Sequence, residues 1–450
     1  MTDIPETLDD AYAAYDPTKP LLPTGDDSKL YIDLSPYRGD DGDVIQQIAR
    51  RIRRNKFGNF SKQLFTGHRG SGKSTELLRL KVLLDSAGYF VIYFDVEAEL
   101  DISDLDYEDV LLTIAQQVSK ESHKAGIKLD DKLLENITRW FASVVYCENE
   151  SEDVEIELQT EYGLGVDSPL IVFAKMLAAF RGEIKNSTQR RTEIRQELEK
   201  NTANLIINVN ALIDAAQKEL AKQGRQGIVL LIDGLEKVLY RVLDEKTGID
   251  THTMLFVHHG EQLQSPKCHV VYTFPINVML TASVGQMFPE ISILPMVKTY
   301  HRDGKSCSES RNALYDLISR RAKVENIFES KDLIFKIIEG SGGHVRDLLR
   351  LIRYASDFTD DKIRDGDFQK AFRKLINEYD YLIKPSDLPR LAEVNRTKQI
   401  PSDQQSALLL YNLLVLEYRN GERWADLHPA VKSSRQFETY IEESSKIKKI

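Results

Sequence analysis

Apolar residues recur along this chain with two periods, and the alternation between the two outlines a fold. From Asp43 to Asn55, Val44, Ile45, Ile48, Ala49 and Ile52 share one helical face, and Arg50, Arg51, Arg53 and Arg54 crowd the end of that helix, where cations suit the dipole. The stretches Gln63–Thr66, Tyr89–Phe94, Ile228–Ile232, His269–Thr273 and Ile291–Leu294 are short and rich in aliphatic, β-branched and aromatic residues, the pattern of buried strands. Helical segments lie between them, including Val110 to Val118 and the leucine-bearing segment from Leu77 to Leu84. Strands alternating with helices predict a parallel α/β sheet with right-handed crossovers. After Tyr300 the strand pattern stops. Arg311–Ala322, Lys331–Glu339, Val345–Ala355 and Phe368–Tyr379 read as four helices, and Pro385 and Pro389 predict a linker. Gln404–Leu414 reads as a last helix, followed by Leu416–Leu427 folded about Asn420-Gly421, a strong hairpin signal. No internal repeat is visible.

Composition narrows the class. With 450 residues, 42% hydrophobic and 29% charged, the chain can build a core, and disorder is excluded as its general state. The first 43 residues hold eleven acidic residues against Lys19, Lys29 and Arg38, with Pro20, Pro23 and Gly25 among them, which predicts an extended, partly ordered arm. No apolar run is long enough to span a bilayer and the N-terminus lacks a signal-peptide pattern, so a cytoplasmic location is expected. Cys147, Cys268 and Cys307 are odd in number and lack metal spacing, so they read as reduced thiols.

The chemistry concentrates in Gly67-His68-Arg69-Gly70-Ser71-Gly72-Lys73-Ser74, followed by Thr75, a full match to the phosphate-loop pattern. Such a match is expected by chance no more than about 0.02 times in a chain of this composition. Glycines are required because backbone N–H groups must wrap the phosphates in conformations that side chains would block. Lys73 is expected to reach the β- and γ-phosphates of ATP, and Ser74 to ligate Mg²⁺. Asp233, ending the apolar run Leu230-Leu231-Ile232, supplies the acidic residue positioned to hold the water shell of the Mg²⁺. Glu236, three residues on, either polarises the attacking water or is a solvated turn residue.

The order of the phosphate loop, Asp233-Gly234-Leu235-Glu236, the strand Val270–Thr273 and Gly342-Gly343-His344-Val345-Arg346 resembles the AAA+ ATPases of the origin-recognition type and the related STAND signalling ATPases, over about Asp33 to Leu427. The resemblance implies that Thr273 is a sensor of the γ-phosphate or attacking water and that Arg346 reaches over the phosphates from a helical lid. It implies an organisation of 1–43 acidic arm, 44–300 P-loop core with a mostly helical insertion at about 100–224, 301–384 lid, and 385–450 winged-helix-like region. Those families usually carry Asp-Glu where this chain has Asp233-Gly234. The displaced acid, Glu236, is similar to STAND proteins, many of which hydrolyse ATP slowly and use it as a conformational switch. Arg302, Arg320 and Arg321 are candidates for an arginine finger or solvated helix residues.

Other signals weigh against competing functions. Lys185, Arg190, Arg191 and Arg195 are interleaved with Glu193, Glu197 and Glu199, the pattern of a salt-bridged face. The net charge is −10, and the segment from Pro385 onward has ten basic against nine acidic residues, too neutral for a strong DNA grip. His258-His259 and Cys268-His269 have no second pair at metal spacing. The reading is an ATPase switch working with a protein partner and with copies of itself, in prokaryotic signalling or defence. An initiator-like ATPase acting on DNA is the alternative, with nucleic acid not favoured.

Overall fold

The computed structural model describes residues 4–39, 42–55, 58–145, 173, 187–281 and 283–447. Cys147, the acidic patch at 148–157 with its candidate strand, and Lys185 lie outside them, as does the side chain of Arg190.

Five strands form one parallel sheet: β1 Lys62–Gly67, β2 Phe90–Asp95, β3 Ile228–Asp233, β6 His269–Thr273 and β7 Glu290–Leu294. A two-stranded pair, β4 Val242–Asp244 and β5 Ile249–Asp250, lies between β3 and β6 in sequence. The sheet order is β2-β3-β6-β1-β7, so β6 sits between the strand leading into the phosphate loop and the strand ending in Asp233. Successive residues of each strand face opposite layers. Leu230, Ile232, Val270 and Tyr272 pack with the helices Tyr107–Lys124 and Thr202–Lys222. Val229, Leu231 and Val271 pack on the other side with the helices Val44–Arg54 and Lys73–Ser86. This is an α/β fold with helices on both faces, as the alternation of strand and helix patterns predicts. The two ends of the stretch read as an insertion therefore form one layer of the core.

Helices Ser308–Ser319, Lys331–Gly340, Val345–Ser356 and Asp365–Asp380 share a separate apolar core with the C-terminal residues, including the hairpin of β8 Val415–Asn420 and β9 Glu422–Leu427. Two segments differ from expectation. The proline pair does not mark a linker: Pro385 opens a 3-10 turn and Pro389 stands in the first turn of the helix Leu388–Thr397, where a missing N–H has no helical acceptor to lose. The acidic arm is folded too. It forms the helix Leu8–Ala14, capped by the Thr7 side chain, and Ala11 and Tyr15 are buried against the lid helices. The Tyr15 hydroxyl donates to the Ile318 carbonyl at 3.3 Å. Few apolar residues suffice here because the partner surface is supplied by another part of the chain.

Candidate functional site

The phosphate loop leaves β1 at its C-terminal end and enters the helix Lys73–Ser86 through Gly72, which has φ +101°. Gly70 has φ +84°, and a Cβ there would fall 2.7 Å from both His344 Nε2 and Arg346 Cβ. Only a residue without a side chain allows this approach. The Arg346 N–H donates to the Gly70 carbonyl at 3.2 Å, and His344 Nε2 lies 2.6 Å from the Arg69 carbonyl. The start of the helix Val345–Ser356, with His344 before it, is thereby in direct contact with the phosphate loop. Arg346 is partly buried, and its Nε has no hydrogen-bond partner in the protein. Burial, with the nearby charge of Arg69, lowers its pKa.

Lys73 is buried, and its ammonium donates to the carbonyls of Gly67 at 3.0 Å and His68 at 3.1 Å. It also pairs with Glu236 Oε1 at 3.2 Å. Glu236 Oε2 is buried without a protein partner. Burial pushes the Glu236 carboxyl up, and the charge of Lys73 together with hydrogen bonding from Thr273, the backbone and Lys73 holds the pKa below the ordinary value. Burial lowers the pKa of Lys73, opposed by Glu236 and Asp233. Glu236 is thus no solvated turn residue, since 3-10 turn Leu235–Lys237 carries it into the site.

Asp233 is fully buried and accepts the Tyr93 hydroxyl at 2.9 Å and the Gly234 N–H at 2.9 Å, with the Ser74 hydroxyl near enough to favour its charged form. Burial, followed by repulsion from Glu236, raises its pKa to about 6. A hydroxyl and a carboxylate brought together beside a phosphate loop are the oxygen donors a hard divalent cation takes, so Ser74 and Asp233 fit Mg²⁺. Thr273 ends β6 between them. Its hydroxyl accepts the Leu235 N–H at 3.2 Å and donates to the Ile232 carbonyl at 3.4 Å, so it holds the turn that carries Glu236.

Some contributors escape the sequence reading. Arg38 is buried, and its guanidinium donates to the carbonyls of Ser71 and Pro295, each at 2.7 Å, bracing the loop from behind. Its isolation among the acids of the arm is the signal that could have found it. Residues 16–34 of the arm form one wall of the cleft, and the Leu21 N–H donates to Thr75 Oγ1 at 3.1 Å. The finger candidates serve this wall as well. Arg320 donates to the Tyr31 carbonyl at 2.6 Å and Arg321 to those of Leu317 at 2.7 Å and Leu30 at 3.3 Å, while Arg302 pairs with Glu422 at 3.4 Å.

The remaining candidates are structural. Arg191 pairs with Asp101 and Asp104 at 3.0 Å each, and Arg195 with Asp104 at 3.1 Å and with Asp109. The salt bridges expected here are present, but they join a buried Arg191 and a mostly buried Arg195 to another segment and do not make a solvated face with the interleaved glutamates. Cys268 and Cys307 are buried free thiols. His269 Nδ1 accepts the Ser61 N–H at 3.1 Å. Among the described residues, His344, Asp347 and His428 form a buried cluster of metal-ligand type. The Ala430 N–H donates to His428 Nδ1 at 3.1 Å, which puts that ring's proton on Nε2, facing Asp347 at 3.3 Å. A protonated ring nitrogen is not a ligand, so the cluster is a hydrogen-bonded hub, completed by the Tyr379 hydroxyl donating to Asp347 at 2.6 Å.

The fold and site define a parallel α/β architecture that carries a phosphate-loop motif, with the loop, Asp233 and Thr273 at the C-terminal edge of one parallel sheet. No protein-family model matches the chain, and no curated protein does. Among solved structures it is similar to a Walker-type ATPase of Pyrococcus abyssi, at 13% identity and a TM-score of 0.38, over 93% of this chain and 98% of the other. It is also similar to Cdc6p of Pyrobaculum aerophilum, at 12% identity and a TM-score of 0.33, over 93% of this chain and 99% of the other. No helix among the described residues is long and apolar enough to cross a membrane.

Proposed function

We propose that this chain binds ATP with Mg²⁺, hydrolyses it slowly, and uses the bound nucleotide to switch its assembly with a protein partner and with further copies of itself. The observation that carries the reading is the imbalance of charge around the loop. Lys73, Arg69 and Arg346 line one cleft, and of these three only Lys73 has a carboxylate within ion-pair distance among the described residues. A polyphosphate supplies the missing anions, with the backbone N–H groups of the loop and the helix N-terminus behind it. Mg²⁺ held by Ser74 and Asp233 would neutralise charge building on the phosphate oxygens. The cleft also has apolar lining, with Leu21, Leu30, Ile32 and Leu34 from the arm and Leu317 and Leu349 from the helices, which suits the flat face of adenine.

Glu236 holds Lys73 in the absence of phosphate and releases it to the ligand. Thr273 keeps the Glu236 turn in register, and Arg346 reads the γ-phosphate from the lid helix. We assign 1–43 to an arm that walls the cleft, 44–300 to the ATPase core, 301–384 to the lid and 385–450 to a winged-helix-like region facing a protein partner. The near-neutral charge of that last region supports a protein partner over DNA. The test is the thermal melt with and without ATP and Mg²⁺. A bound ligand at 100 times its Kd stabilises by about 2.7 kcal/mol. Absence of any shift would reject ATP as the ligand, and turnover stimulated by DNA with a steep salt dependence would favour the initiator-like alternative.

A further inference from the structure

Four carboxylates line the cleft: Asp16, Glu76, Asp95 and Glu236. Asp16, on the arm, accepts both the backbone N–H and the hydroxyl of Thr18, at 2.8 and 2.7 Å. Glu76 is buried and paired with Arg79 at 3.0 Å. Glu236 has a side chain only 6% exposed and is pinned by Lys73. Asp95 differs from all three. It ends β2, directly opposite Asp233 across the parallel pairing of β2 with β3, and its side chain is 33% exposed.

The residue that follows Asp233 shows what Asp95 does to the site. Gly234 has φ +87°, and a Cβ built on it would lie 2.3 Å from Asp95 Oδ1. The carboxylate from the neighbouring strand fills the volume that a side chain at 234 would take, so β3 itself offers no second acid at that place. Asp95 Oδ1 accepts the Glu97 N–H at 3.0 Å, and Oδ2 faces Lys237 Nζ at 3.1 Å. The group is oriented, partly exposed and in the lining of the cleft that holds the loop, as a base that must hold a water requires.

We propose that Asp95 is the water-orienting carboxylate of ATP hydrolysis in this chain. The inference rests on the ATPase reading above. In the step, an oxygen lone pair of the water forms a bond to the γ-phosphorus while the bond from that phosphorus to the β,γ-bridging oxygen breaks, its electron pair leaving with ADP. A proton of the water passes to Asp95 and then to solvent. The products are ADP and inorganic phosphate.

The experiment measures ATP turnover and the ATP·Mg²⁺ shift of the melting temperature in the full chain, for wild type and for Asp95→Asn, Glu236→Gln and Lys237→Met. Asparagine keeps the acceptor for the Glu97 N–H and is isosteric, so the fold is retained. Asp95→Asn should keep the ATP shift and lose about 100-fold or more in turnover. Lys237→Met, which removes a cation that orients Asp95 but leaves its carboxylate in place, should lose at least about tenfold less turnover than Asp95→Asn. Equal losses in Asp95→Asn and Lys237→Met would make the pair structural and overturn the proposal. So would wild-type turnover in Asp95→Asn, loss of its ATP shift, or a wild type that binds ATP without hydrolysing it. A wild type that shows no ATP shift would instead reject the ATPase reading itself, and the inference with it.

Discussion

The Nε2 of His68 accepts the backbone N–H of Glu417 at 2.8 Å, tying the second residue of the phosphate loop to β8 across 349 residues of sequence. The same strand is held twice more. The Met296 N–H donates to the Glu417 carbonyl at 3.3 Å, and the Tyr418 hydroxyl donates to the Gly342 carbonyl at 2.7 Å. The loop that would wrap phosphates, the Gly-Gly turn and the C-terminal hairpin are therefore joined by direct hydrogen bonds.

His68 is buried, and burial, followed by the nearby His344, lowers its pKa to about 3. The unfolded chain binds the proton near 6.5, so stability contributed by neutral His68 is complete above that pH and is lost as pH falls toward about 3, by up to about 1.4 kcal/mol per unit. His68→Ala should cost about 2–4 kcal/mol at pH 7, from a cavity and an unsatisfied N–H. Between pH 7 and 5 the wild type should lose about 2 kcal/mol more than the variant. Urea denaturation of both at the two pH values checks this, and parallel pH profiles would contradict it.

Lys73→Ala should abolish the ATP·Mg²⁺ shift of the melting temperature. It should also destabilise the ligand-free protein by about 3–5 kcal/mol, because it strands the buried Glu236 carboxylate. Lys73→Met combined with Glu236→Gln should recover much of that stability and none of the ATP response. Calorimetry of the single and double variants separates the two effects.

Arg346→Ala should bind ATP and ADP with nearly equal affinity, against an ATP preference of about tenfold in wild type, corresponding to about 1.4 kcal/mol. Ligand-free stability should hold or rise, since the substitution removes a partly buried cation near Arg69. Titration with both nucleotides, and sedimentation in the presence of each, test the affinity and the assembly it controls.

Thr75→Val should loosen the arm around Leu21, while its other contacts stay in place, by removing the acceptor of the Leu21 N–H. The expected stability cost is about 1 kcal/mol, with ATP affinity reduced because one wall of the cleft is loosened. Limited proteolysis should cut within residues 16–34 sooner in the variant, and ATP should protect it less well than it protects wild type.

The sequence by itself determined the five strands of the parallel sheet, the phosphate loop and Asp233, because each depends on neighbours within a few positions: apolar runs suit buried strands, and glycines at 67, 70 and 72 suit a loop that folds around phosphate. It also marked the four lid helices and the hairpin at Gly421, whose φ of +72° needs glycine. Pro389 misled as a linker signal because proline at the start of a helix and proline in a loop look alike until the helix is seen. Only tertiary structure decided that an acidic arm walls the cleft, that Arg38 braces Ser71, that His68 grips Glu417, and that Asp95 occupies the place beside Gly234. Those partners are 33, 349 and 139 residues apart in the three pairings, and no local period records which distant segment will lie alongside another. The pairing is set when the sheet order β2-β3-β6-β1-β7 brings their ends to one edge, where burial strengthens each polar contact and makes it costly to leave unmade.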